Sequence, residues 1–400
     1  AYEITYGDWS SDVCSSDLDQ RLALKVLSHP GVARTPTRLL IAIAAVTGFL
    51  SMWMSNAATT ALVLPVVLGL IEAQPELGKP RVAASLLLMI SFAATAGGLA
   101  TPVGTPPNLI ALGFVRQLAG ADVSFVRWMV VATPLSVVLI VILVFLLRPH
   151  GTKTLENHQE FVDALRAKAR ALGPWSRGER NIVFVFLLAL GAWLYPGIAE
   201  LIGGKSAPGV AWFARHLPEE TVGLCAGLLL FLLPTDRQRF EFTINWRDGA
   251  QIDWGTILLF GGGMALGQLI FSTGLAKTLG DVVMGWLGSP GLWLLMAAGI
   301  VLAVALSEFT SNTASANVVV PLMIGLAQAS HVNPVPIAVA TCLACSFGFM
   351  LPVSTAPNAI VYGSGRVPLR RMLTAGLTFD CIGVVAILAA MWLAVRLGFW

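Results

Sequence analysis

Charged side chains are scarce in this chain. Lys, Arg, Asp and Glu supply only 12% of its 400 residues, against roughly 25% in a soluble domain. A water-facing shell cannot be assembled from so few, which excludes an ordinary soluble protein. Histidine is thin as well: five residues without ligand spacing argue against a metal centre. The five cysteines are scattered. Cys342 and Cys345 form a CxxC inside an apolar run, and with no redox or metal partner beside them they read as small packing residues. Neither a nucleophile–base pair nor a set of metal ligands is visible, so an enzyme is not expected. Apolar and polar residues do not alternate, which argues against strands.

What the chain has in abundance is hydrocarbon. Hydrophobic residues make up 56% of it, the mean hydropathy is +0.77, and long runs recur, such as 125–147 and 384–400. Such runs can cross a hydrocarbon core of about 30 Å as helices. The expected class is an all-α, multi-pass membrane protein of the cell (inner) membrane. The first eighteen residues do not belong to this pattern. They are polar, lack the basic start and apolar middle of a signal peptide, and resemble translated sequencing-adapter read-through, so 1–18 is expected to be non-native and the first repeat to be truncated.

Two motifs occur twice. "FLSMWMSNAATTALVLPV" (49–66) lies over "ALSEFTSNTASANVVVPL" (305–322), matching Ser51 with Ser307, Ser55 with Ser311, Asn56 with Asn312 and Pro65 with Pro321. Further on, "TPVGTPPNLIALG" (101–113) lies over "LPVSTAPNAIVYG" (351–363), matching Thr105 with Thr355 and Asn108 with Asn358. Two matched motifs in the same order mean a duplication, and in membrane proteins a duplication points to a transporter with its site at the repeat interface. The expected organisation has a first repeat at 19–147 (hairpin 37–71, broken helix 82–114, helix 124–147) and a basic cytoplasmic linker at 148–180. A second repeat follows at 181–400 (hairpin 291–329, broken helix 335–363).

Counting loops across these spans places 19 of the 25 Lys and Arg on one face, which the positive-inside rule assigns to the cytoplasm. The first hairpin then opens from the cytoplasm and the second from outside, so the copies are inverted. Parity alone does not separate re-entrant hairpins from full crossings. Polar tips between arms of about 16 to 18 residues favour re-entry.

Each tip ends one helix and starts another. The incoming arm presents unpaired carbonyls suited to a cation, and the outgoing arm presents free amides and a positive dipole end suited to an anion. Ser55, Asn56, Ser311 and Asn312 are good capping residues, and the prolines of the second motif force open backbone whose carbonyls need partners. Capping and packing alone would explain one such motif; four in matched pairs favour a ligand. With no cationic side chain in either tip, anion and cation are expected to bind together. Glu308, beside the second tip where the first has Met52, could tune ion binding or take a proton, but an interhelical hydrogen bond is the favoured reading. Asp380, within the last helix, stays ambiguous. The "GGG" at 261–263 is no phosphate loop, since no Lys follows it, and reads as close packing. The charge run at 151–180 reads as a solvated amphipathic helix with no nucleic-acid role.

On these residues the chain resembles the divalent anion/sodium symporter family of di- and tricarboxylate and sulfate transporters. "TSNTAS" and "GTPPN" carry the likeness, which covers essentially residues 20–400. The resemblance implies two inverted repeats with re-entrant hairpins, a homodimer held by a scaffold, a transport part that moves as an elevator, and roughly four missing N-terminal helices. It also implies one sodium site from Ser51, Ser55, Asn56 and the backbone at Gly104. A second would use Ser307, Thr310, Asn312 and the backbone near Ser354. The substrate would touch Ser55, Asn56, Ser311, Asn312, Thr313 and Thr355. There is one departure: the first tip has Ala57 where the second keeps Thr313. The expected function is sodium-coupled uptake of small dicarboxylates (succinate, malate, fumarate), with sodium as coupling ion and no cofactor. Sulfate uptake and sodium-independent dicarboxylate exchange are the alternatives within the class. An ion antiporter is disfavoured because ionisable residues are scarce at the tips.

Overall fold

The computed structural model describes residues 17–29, 31, 32, 34–149, 155, 158–204, 209–275, 278 and 291–399. Nearly all of the adapter-like segment and of the amphipathic stretch at 275–291 lies outside them, as do Lys205 and Lys277.

The described chain is almost entirely helical, because its apolar runs are rich in Leu and Ala and are bounded by residues that cap helices. A short helix α1 (Asp17–Leu27) precedes α2 (Pro36–Ser51), which starts where Thr35 accepts from Arg38 N and Pro36 occupies the first turn. The chain turns at 52–55 and re-enters helix as α3 (Asn56–Ala73). Proline again opens α4 (Pro75–Gly78), α5 (Pro80–Gly98) and α6 (Pro106–Ala119). The helix α7 (Phe125–Leu147), capped by Ser124, completes this half.

After α8 (His158–Ala171) comes the 27-residue α9 (Arg177–Gly203), which begins in a reciprocal capping box of Ser176 and Glu179. Arg21 of α1 forms an ion pair with Glu179 and donates to the carbonyls of Leu172 and Gly173, tying the amphipathic α8 region to the start of the chain. Two helices follow, α10 (Val210–His216) and α11 (Glu219–Leu232). One departure from an all-helical chain comes next: β1 (Pro234–Asp236) pairs antiparallel with β2 (Glu241–Phe242) in a small loop ribbon. Then come α12 (Trp246–Ala250), α13 (Trp254–Ser272) and the second pair of arms, α14 (Leu292–Phe309) and α15 (Asn312–Ala329). The chain ends with α16 (Pro334–Cys345), α17 (Ala356–Gly363) and α18 (Leu369–Arg396).

Among the described residues seven of these helices are long and apolar enough to cross a membrane. The protein is an all-α, multi-pass membrane protein. Burial sorts the helices into two kinds. The cores are α5, 94% buried over its most apolar stretch, and α16, buried from Pro336 to Cys345. By contrast α13 is only 11% buried, and what it exposes is apolar, including Leu258 and Leu269, as contact with hydrocarbon requires. Its glycine run is not uniformly packed: Gly263 lies against the Asn317 side chain, whereas Gly261 and Gly262 meet nothing. The short α16, twelve residues long, cannot span alone. It ends in mid-protein, where the chain unwinds.

Candidate functional site

The two tips share the same cap and the same serine–asparagine contact. Ser55 caps α3 by accepting from Ala58 N, and Ser311 caps α15 by accepting from Ala314 N, both at 3.2 Å. The asparagines follow the caps as first helical residues and do not cap. Their side chains turn back instead, so that Asn56 Oδ1 accepts from Ser51 Oγ at 2.7 Å and Asn312 Oδ1 lies 2.8 Å from Ser307 Oγ. Ser51 and Ser307 are fully buried, while Ser55 and Ser311 are exposed. Each tip therefore reaches from the interior to an accessible rim.

Both asparagines close onto a glycine in the facing broken helix. Any side chain on Gly98 would overlap Asn56 Oδ1 and crowd the Gly104 carbonyl; one on Gly348 would be crowded by Ser354 Cβ, Ser307 O and Asn312 Oδ1. Ser51, Asn56 and Gly104 are thus brought together on one side, and Ser307, Asn312 and Ser354 on the other. Ser354 Oγ donates toward the Glu308 backbone and carboxylate. Thr310 donates its hydroxyl to Leu306 O, keeping its lone pairs available. Thr355 caps α17 by accepting from Asn358 N at 3.2 Å, whereas Thr105 makes no such bond. Ala57 and Thr313 take the same second position of their helices, so the departure lies in the first turn of α3.

Sequence reasoning underrated two groups. The first is Gly98 and Gly348, which in an apolar helix look like packing residues. The second is Asn108 and Asn358. Asn108 Nδ2 donates to the carbonyls of Gly98 (3.0 Å) and Thr101 (2.8 Å); Asn358 Nδ2 donates to those of Gly348 (2.9 Å) and Leu351 (3.0 Å). Each asparagine is a clamp holding a break open at fixed width. Their matched positions were the available signal. The clamps are held from the other half of the chain: Ser91 of α5 donates to Asn358 Oδ1, and the Cys342 thiol of α16 donates to Pro107 O at 3.2 Å. The CxxC thus packs, and Cys342 also bonds. Glu308 hydrogen-bonds to the unwound segment between α16 and α17 and not to a neighbouring helix, accepting from Met350 N, Leu351 N and Ser354 Oγ.

Chemically these are clusters of oxygen atoms. One contact in the second tip has no counterpart in the first. Ser307 Oγ lies 2.8 Å from Asn312 Oδ1 and 2.7 Å from Cys345 O, yet has one hydrogen to give. Asn312 Nδ2 points at Ser346 O, so its Oδ1 is the atom facing Ser307. One hydrogen is shared between two acceptors, and oxygen atoms gathered in this way are of the type a hard cation takes. The first-turn amides of α3 and α15 beside these oxygens have no carbonyl of their own helix to bond, which suits an anion. No group of three His, Cys, Asp or Glu able to hold a metal occurs among the described residues. A separate cleft of about 370 Å³ opens beside the first break, between Pro102, Phe125 and Trp193. At its rim Arg116 bridges Asp122 (2.6 Å) and Glu220 (3.1 Å), and the Asp122 hydrogen bond holds its guanidinium above the ordinary arginine range.

The chain is similar to known membrane transporters. The sodium-dependent dicarboxylate transporter SdcS of Staphylococcus saprophyticus is 32% identical over 393 residues, covering 95% of this chain and 73% of that one. SdcS of Staphylococcus aureus strain USA300 is 31% identical over 390 residues, covering 94% and 72%. A solved structure of Neisseria gonorrhoeae MtrF, described among antimetabolite efflux pumps, has a TM-score of 0.52 at 11% identity over 95% of this chain and 80% of that chain, a likeness of fold alone. Residues 9–400 match the family described as the sodium:sulfate symporter transmembrane region. The chain belongs to that family of membrane transporters.

Proposed function

We propose that this protein takes up small dicarboxylates such as succinate, malate or fumarate together with sodium. One sodium ion is held by Ser51, Ser55, Asn56 and the Gly104 backbone, the other by Ser307, Thr310, Asn312 and the backbone near Ser354. The dianion lies between the tips, against Ser55, Asn56, Ser311, Asn312, Thr313 and Thr355. Each carboxylate faces the amide end of one outgoing helix and the cation beside it. Because no Lys or Arg stands in either tip, the anion depends on the bound cations for its neutralisation, and this is the physical basis of coupling. The observation that carries the reading is the duplicated serine–asparagine–glycine cradle, to which the second tip adds Cys345 O as a further oxygen beside Ser307. The relatives named sodium-dependent dicarboxylate transporters support the choice of substrate.

In the same reading the repeats are inverted, the hairpins re-enter, and the tips travel as one body in an elevator motion within a homodimer. Sulfate is the second candidate, favoured by the family description. It is a single compact centre, however, and two separated tips suit two separated carboxylates better. Uptake of labelled succinate and labelled sulfate into proteoliposomes, with and without a sodium gradient, tests the reading. Succinate uptake that collapses without sodium is expected. Undiminished uptake or counterflow without sodium would sink the symport mechanism.

A further inference from the structure

Each hairpin tip must be held at a set distance from the break it faces, because oxygens from both sides of that gap make up the cradle. The second tip is fastened by several groups. Ser307 Oγ lies 2.7 Å from Cys345 O, Asn312 Nδ2 points at Ser346 O, and Ser354 Oγ donates toward the Glu308 carbonyl at 2.8 Å. The Met350 and Leu351 amides add bonds to the Glu308 carboxylate. The first tip is fastened differently. Among the described residues, one hydrogen bond joins 51–56 to the break at 99–105: Thr101 Oγ1 donates to Met52 O at 2.5 Å.

The same carbonyl is gripped in both copies, since Met52 and Glu308 are matched positions, but the hydroxyl comes from opposite ends of the turn. Leu351 stands where the first copy has Thr101, and Gly104 stands where the second has Ser354. Aligning the motifs position by position therefore hides this equivalence. A threonine in an apolar helix ordinarily bonds the carbonyl four residues back, as Thr60 does with Asn56 O and Thr95 with Ser91 O. Thr101 instead reaches a residue 49 positions away.

Its surroundings make that reach a fixed one. Thr101 is fully buried. Its carbonyl accepts from Asn108 Nδ2 at 2.8 Å and from Gly104 N at 3.3 Å, so it opens a tight turn that Gly104 closes. Its hydroxyl holds the residue that follows Ser51, just past the end of α2, where carbonyls lack the amides of a further turn. Ser51 in turn donates to Asn56 Oδ1. One side chain thus spans from the turn that carries Gly104 to the helix end that carries Ser51, and no water in a hydrocarbon interior would replace its bond.

We propose that Thr101 is the positioning residue of the first sodium site, its hydroxyl setting the distance between the Ser51–Asn56 side and the Gly104 carbonyl. It acts through Met52 O and the turn at 101–104, not as a ligand. The proposal rests on the sodium-coupled reading above. Because one bond does in the first tip what several do in the second, loss of this hydroxyl weakens one ion and leaves the other in place.

The test is thermal unfolding of the purified protein in detergent, without substrate, as sodium replaces potassium at constant ionic strength. Sodium should stabilise the unaltered protein over potassium, and the titration yields its dissociation constants. In Thr101→Val, which keeps the shape and removes the hydroxyl, one of these constants should rise about fivefold, the factor that one net hydrogen bond represents. Thr101→Ser, which keeps the hydroxyl, should restore it. A merely structural threonine would lower the melting temperature in potassium and leave the sodium constants unchanged; that result, or failure of Thr101→Ser to restore the constant, overturns the role. If sodium does not stabilise the unaltered protein over potassium, the sodium-coupled reading itself falls, and this role with it. If Thr101→Val does not fold, hydrogen exchange in the unaltered protein decides. Sodium should slow exchange more at 52–56, which a single bond ties to its break, than at 308–312; equal or greater slowing at 308–312 overturns the role.

Discussion

At the scale of single residues, the site is built from oxygen atoms whose positions are set by neighbours without side chains. Gly98 is required because Asn56 Oδ1 occupies the space a methyl would need, whereas a methyl on Gly348 would be crowded by Ser354 Cβ, Ser307 O and Asn312 Oδ1 without overlapping them. Gly98→Ala should weaken the apparent sodium affinity by about tenfold, the equivalent of ~1.4 kcal/mol, read as the sodium concentration that half-saturates succinate uptake. Asn312→Ala removes both the oxygen facing Ser307 and the amide on Ser346, so sodium-dependent succinate binding should be abolished; normal sodium dependence in that variant would count against the second tip. Ala57→Thr restores the hydroxyl that Thr313 supplies in the other copy. A changed succinate-to-sulfate uptake ratio is expected there, and an unchanged ratio would show that this position does not touch the anion.

At the scale of elements, the broken helices are the parts that need support. Each break leaves carbonyls and amides in apolar surroundings, and each is held by one asparagine with two hydrogen bonds. Asn108→Ala or Asn358→Ala should lower stability by ~1–3 kcal/mol for the orphaned carbonyls, measured as thermal unfolding in detergent. If either clamp is dispensable, the melting temperature will not move. Much of this was legible in the sequence. Serine, asparagine and proline are costly inside an apolar run, so Ser55, Asn56, Ser311 and Asn312 stand out by residue type alone. The clamps' partners were not legible, because Ser91 and Asn358 are separated by 267 residues and no local pattern links them. Gly98 was hidden for a different reason: a glycine in a membrane helix signals close packing without saying against what.

At the scale of the whole molecule, ligand binding should act as a fastener between the hairpins and the breaks. A ligand that binds only the folded state stabilises it by ~2.7 kcal/mol at a concentration one hundred times its dissociation constant. Sodium should therefore raise the melting temperature, succinate should raise it further only when sodium is present, and the same ionic strength of potassium should do neither. An equal effect of potassium would identify simple screening instead. The class of protein was plain from composition alone, since so few charges cannot clothe a soluble surface. The two-stranded ribbon at 234–242 was not foreseen; it is a loop device that apolar periodicity does not register.

The reciprocal grip between repeats also bears on how the protein is made. Pro107 waits for the thiol of Cys342, which leaves the ribosome 235 residues later. At about 5–20 residues per second, that is an interval of roughly 10–50 s during which the first break lies in the bilayer without its final partner. The nascent first half is then a natural client for membrane-embedded chaperones and quality-control proteases. Expressed without its second half, it should be degraded even though every residue of its own tip is intact.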